Sequence, residues 1–135
     1  MLQFYFLSIV LNALAGYLLI TADEDGVLEF KSGFSLKDET FRLIVGILSI
    51  LIGLLKILSV VKGDMPVIGD LLPALTGFLS GFILIVEYYR SRSSLDISEQ
   101  SEKIDRLLLK NKKIIGVAAL IAAALHFLFP TVLLL

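Results

Sequence analysis

The sequence predicts an all-α integral membrane protein: four transmembrane helices in a compact bundle, forming one domain over residues 1–135. Three observations carry this. Hydrophobic residues make up 57% of the chain and mean hydropathy is +0.91, whereas soluble domains hold about 45–50% apolar residues. The charged 19% is bunched, which leaves long uncharged runs of the length a bilayer core requires. Those runs do not alternate polar and apolar residues as barrel strands do, so a backbone in lipid satisfies its hydrogen bonds as helix.

The first span runs from about Leu2 to Ala22 and carries no charge. Its "ALAG" at residues 13–16 imitates a signal-peptidase site, but the positively charged leader region is missing, so a retained helix is expected. The second runs from about Phe41 to Val61 and is interrupted only by Lys56. The third covers about Leu71 to Tyr89, and the fourth about Ile114 to Leu135 with His126 and Pro130 inside it.

Lysine and arginine near span ends favour the cytoplasm. The loop over residues 23–40 holds Lys31 and Lys37, with Arg42 just beyond it. The loop over residues 90–113 holds Arg90, Arg92, Lys103, Arg106, Lys110, Lys112 and Lys113. The connection between spans two and three offers only Lys62. The predicted threading therefore puts both long loops inside the cell, in the inner membrane, with both termini outside.

The chain says nearly the same thing twice. "LNALAGYLLI" in span one resembles "LPALTGFLSG" in span three, with Gly16 set against Gly77. "IVGILSILIGLLKIL" in span two resembles "IIGVAALIAAALHFL" in span four, with Gly46 against Gly116 and Lys56 against His126. One reading is a duplicated helical hairpin, its copies parallel and related by an axis along the membrane normal. The other is the ordinary likeness of Leu-, Ala- and Gly-rich helices.

Membrane helices associate through small residues that let backbones approach. Gly77 and Gly81 form a GxxxG in span three, Ser49 and Gly53 share that spacing in span two, and Ala118/Ala122 and Ala119/Ala123 do so in span four. This face serves either packing inside the bundle or an oligomer.

Ionisable and amide groups inside a membrane are candidate functional residues. Asn12, Lys56, Glu87 and His126 are the four here. For Lys56 near the outer end of its span, snorkelling to the headgroups is the first expectation and an interior polar path the second. His126 is read as an interhelical hydrogen-bonding group, or as a proton-titrating one. Asn12 is read as interhelical glue. Glu87 is expected to pair with Arg90 or a nearby lysine within an interfacial belt that includes Tyr88 and Tyr89.

The outer connection contributes Asp64 and Asp70. Asp70 reads as a helix N-cap before Pro73, and the two carboxylates alone make a weak case for a hard cation. Inside, Leu95, Ile104, Leu107 and Leu108 mark a short amphipathic helix, with Glu99–Lys103 and Glu102–Arg106 as supporting pairs. The alternative is a solvated extension of span four. Turn signals around "VLEF" and "FSL" in the first loop permit a small hairpin, and Ser35 or Asp38 begins the next helix.

From Arg42 to Ile57 the chain reads "RLIVGILSILIGLLKI". With Arg42, Gly46, Gly53 and Lys56, this stretch resembles the opening helix of DoxX-type small four-helix membrane proteins. The resemblance implies a four-helix membrane fold. The pattern falls in span two here rather than span one, so no function is carried over from that family.

The absence of cysteine excludes thiol chemistry and disulfides, and a single histidine excludes a two-histidine zinc motif. The net charge of −1 argues against nucleic acid. No phosphate-binding Gly-rich loop, catalytic carboxylate pair or nucleophile elbow occurs. No enzyme activity, metal or cofactor is expected. Two functions remain: an accessory subunit that packs against other membrane chains or its own copies in the lipid bilayer, and a small oligomeric transporter or channel with Lys56 and His126 in a polar path.

Overall fold

The computed structural model describes residues 2–23, 36–58, 71–93 and 99–129. Five helices occupy them in order: α1 Leu2–Ile20, α2 Glu39–Leu58, α3 Leu71–Arg92, α4 Glu99–Lys110 and α5 Lys112–Leu128. Three of them are long and apolar enough to cross a membrane, over Gln3–Ile20, Glu39–Leu58 and Leu71–Arg92. α5 covers 17 described residues, and 130–135 of the expected fourth span lie outside the described part. Asp64, Asp70, Leu95 and the "VLEF" segment also lie outside it.

Local chemistry sets several helix ends. Asp38 starts α2 by accepting the Thr40 N–H at 3.0 Å, which satisfies a first-turn donor. α3 continues past Tyr89 to Arg92 because Glu87, Tyr88 and Arg90 are all good enough helix formers once outside the apolar layer. Asn111 is a single-residue break between α4 and α5, with its N–H on the Leu108 carbonyl and its carbonyl on the Ile115 N–H. Leu108 and Leu109 of α4 pack against the core, while Ile104 and Leu107 face outward.

α1 packs antiparallel on α5, and α2 antiparallel on α3. α1 also touches α2 and α3, and α3 touches α5. α2 and α5 form opposite corners. The small residues make the close approaches possible. A Cβ on Gly16 would lie 2.6 Å from the Gly116 carbonyl oxygen, and one on Gly81 would lie 2.5 Å from that of Gly46. Gly53 backs onto the Ala74 carbonyl at 3.0 Å, and Gly77 faces Asn12 at 3.4 Å. The small-residue face of α2 and α3 is thus turned into the bundle.

Burial repeats between the two halves. Buried Gly46, Ser49, Ile52, Gly53 and Lys56 of α2 correspond to buried Gly116, Ala119, Ala122, Ala123 and His126 of α5. For α1 and α3 the correspondence differs from the textual one. Asn12 matches Gly77, Ala15 matches Ser80, Gly16 matches Gly81, Leu18 matches Ile83 and Leu19 matches Leu84. That is one helical turn away from Gly16 against Gly77. Leu, Ala and Gly recur so often in both helices that letters align at either register, whereas close approach to the neighbouring backbone occurs at one.

Candidate functional site

Polar groups occupy three levels of the bundle interior. At the end formed by the start of α1 and the last turns of α2 and α5, Lys56 Nζ stands 2.6 Å from His126 Nε2. Lys56 is 7% exposed and His126 1%. Since α2 and α5 do not pack on each other, these two side chains bridge the space between opposite corners. Tyr5 joins them. Its hydroxyl donates to the His126 backbone carbonyl, a helix-end acceptor without an intrahelical donor. Its ring lies 4.5 Å from the imidazole and 5.5 Å from Lys56 Nζ, within cation–π range. Two cations at the Lys56–His126 separation would repel strongly in an apolar interior. An ammonium donating to the lone pair of the imidazole Nε2 is a hydrogen bond that avoids this repulsion.

This overturns the snorkelling expectation for Lys56. The side chain turns inward because a hydrogen-bonding and aromatic partner set is available there, and because Gly53, one turn earlier, brings α2 close to α3 on that face.

At mid-depth, Asn12 ties α1 to α3. Its Nδ2 donates to the Ser8 carbonyl at 3.1 Å and the Pro73 carbonyl at 3.0 Å, and its Oδ1 accepts from Thr76 Oγ1 at 3.0 Å. Ser80 Oγ donates to the Gly77 carbonyl at 3.3 Å. The Ser49 hydroxyl is buried with no hydrogen-bond partner among the described residues.

At the opposite end, Glu87 accepts from Arg42 and, at 3.1 Å, from Lys112. Arg42 also donates to the Leu18 carbonyl in the last turn of α1 at 3.3 Å. Lys112 reaches Asp23 at 2.7 Å, and this hydrogen bond holds the Asp23 carboxyl below the usual carboxylate range. Arg90 turns instead to Asp105 of α4, at 3.1 Å. Glu87 therefore pairs with Arg42 and Lys112 rather than Arg90, because α3 presents residues 87 and 90 toward different neighbours. An open cavity of about 500 Å³ lies over this group.

Of the four residues singled out by sequence, Lys56 and His126 meet directly. Asn12 lies deeper, and Glu87 stands at the far end. Arg42, which holds Glu87, is 14 residues from Lys56 along α2, about 21 Å. Sequence reasoning did not single out Tyr5, Thr76, Arg42 or Lys112 for the site. The α2/α5 correspondence that pairs Lys56 with His126 also pairs Arg42 with Lys112, and that was the available signal. Tyr5 had none. Among the described residues no group of three His, Cys, Asp or Glu is arranged to hold a metal ion.

The profile of one protein family matches residues 1–126. The chain belongs to that family. It is 35% identical over 135 residues to an uncharacterized protein of Treponema pallidum (strain Nichols), with 100% of each chain covered. No solved structure matches it.

Proposed function

We propose that the protein is a four-span membrane protein that relays protons through its own bundle. In this reading α5 is the fourth span, both long loops face the cytoplasm, and both termini lie outside the inner membrane. The two halves are copies of one hairpin, a reading supported by the matching buried positions of α2 and α5.

The observation that carries the function is the buried Lys56–His126 pair. Ionisable groups inside a membrane helix are costly, and they persist mainly where they face the bundle interior and serve a path. A pair of bases sharing one excess proton takes up a second proton only transiently. It passes that proton on because the doubly charged state is unfavourable. Polar groups at mid-depth, Asn12 and Ser80, continue the polar series along the bundle.

The test uses purified protein in liposomes loaded with a pH-sensitive dye, with protons driven by a potassium diffusion potential. The expected result is proton entry faster than in empty liposomes, reduced roughly tenfold or more in both Lys56→Met and His126→Gln. Proton entry equal to that of empty liposomes, or unchanged in both variants, would sink the relay.

A second reading, the accessory subunit, is favoured by one feature. Ile104 and Leu107 are largely exposed on α4, an apolar strip suited to another chain. Gly53, Gly77 and Gly81 turn into the bundle and so do not offer a face to another chain. Survival of full cellular function in both variants would favour the subunit.

A further inference from the structure

The cavity at the loop end of the bundle has a donor surplus that the proton relay does not use. Lys37, Arg42, Arg90 and Lys112 line it. So do three carboxylates, Asp23, Glu39 and Glu87. Each carboxylate already accepts from a cation. Lys112 serves Asp23, Arg42 and Lys112 serve Glu87, and Arg92 serves Glu39.

Three of the cationic donors are less committed. A guanidinium has five N–H groups and an ammonium three. Among the described residues Arg42 uses two of its five, on Leu18 and Glu87. Arg90 uses one of five, on Asp105. Lys112 uses two of three. The acids are satisfied and donor capacity remains, so the cavity favours an acceptor-rich anion over a cation.

We infer that this cavity binds a phosphate ester. Guanidinium forks match phosphate oxygens in pairs. The volume of about 500 Å³ falls in the usual range for small-ligand sites. The cavity sits where membrane helices end, the level at which basic pockets meet phosphate headgroups. Tyr88 on its wall adds a neutral hydroxyl donor. The phosphate arrives either on a lipid headgroup or as a free ester.

Native mass spectrometry of the detergent-solubilised full chain tests this. The probes are a short-chain phosphatidic acid, the matching diacylglycerol without phosphate, and inorganic phosphate as competitor. Phosphatidic acid is expected to stay bound and diacylglycerol to be lost. Lys37→Gln with Arg90→Gln, on the rim, should weaken the phosphatidic acid complex about tenfold or more. Lys103→Gln with Lys110→Gln removes the same charge from α4 outside the cavity and should leave it unchanged.

Displacement by inorganic phosphate assigns the site to phosphate from either source. Resistance to displacement assigns it to the lipid headgroup. Equal retention of diacylglycerol, no retained phosphatidic acid, or equal weakening by the α4 pair overturns the inference. Binding is read without flux, so it is decided separately from the relay.

Discussion

Gly81→Ala is the substitution whose effect follows most directly from the helix packing. The added methyl would sit 2.5 Å from the Gly46 carbonyl oxygen, 2.9 Å from Ile50 Cγ1 and 3.1 Å from Ser49 Cβ. Carbon and carbonyl oxygen meet without strain near 3.3 Å, so α2 and α3 must part by roughly 0.8 Å along that line. The Ile50 side chain can rotate away. A carbonyl inside a helix cannot. Overpacking of this kind costs about 1–3 kcal/mol. Alanine returns about 1 kcal/mol of helix propensity, which leaves a net loss of up to about 2 kcal/mol. Gly77→Ala is the matched control. Its methyl would meet the Asn12 amide at 3.4 Å and the Ser49 carbonyl at 3.5 Å, both ordinary contacts, so it should be neutral or slightly stabilising. A GxxxG motif read from sequence treats the two glycines alike, whereas the packing separates them by about 2 kcal/mol. Equilibrium unfolding in mixed micelles, followed by helix content, measures the difference. Gly16→Ala, at 2.6 Å from the Gly116 carbonyl, should fall with Gly81→Ala. Gly53→Ala, at 3.0 Å from Ala74, should lie between. A Gly81→Ala protein as stable as Gly77→Ala, or more stable, would refute the packing argument.

Asn12→Leu removes two hydrogen bonds between α1 and α3. At about 0.6 kcal/mol per interhelical bond in membranes, it should lose roughly 1 kcal/mol in the same unfolding assay, and an unchanged midpoint would count against the Asn12 bridge. The Asp23 carboxyl has a lowered folded pKa. Its contribution is therefore present above the ordinary aspartate value and is lost as pH falls through the lower folded one. The side chain is largely exposed, so the effect is small and salt-sensitive. Asp23→Asn should flatten the acid-side decline in melting temperature below about pH 4, and parallel curves for parent and variant would remove the Lys112–Asp23 bond as its cause.

The apolar runs made the helices legible. Absence of charge over twenty or so residues is a one-dimensional property, and α1, α2 and α3 begin and end within a few residues of where charge returns. Rotation of a helix about its axis is different. It depends on which neighbour supplies a partner, and hydropathy is silent on neighbours. Lys56 illustrates this: its depth was readable and its direction was not. The repeat held more information than its letters. Equivalent positions in parallel copies would approach a common axis, and the meeting of Lys56 and His126 is consistent with the proposed duplication. In α1 and α3 burial matches at an offset one turn from that of the letters, because the shared Leu-Ala-Gly texture is compatible with both and the closest backbone approaches fall at Gly16 and Gly81. Glu87 was expected near a cation, but the identity of the cation depended on which flank of α3 faces Arg42.

The meeting of Lys56 and His126 has a consequence for ancestry. Were a single hairpin to form this bundle as a pair of identical chains, whatever stood at this position would confront its own copy. Two lysines would bring like charges together, and two histidines would offer the same acid strength from both sides. A chain that carries both hairpins escapes that constraint, since each position can change by itself. Here the two positions hold unlike side chains, Lys56 and His126, 2.6 Å apart, a contact that two identical copies of one hairpin would not make.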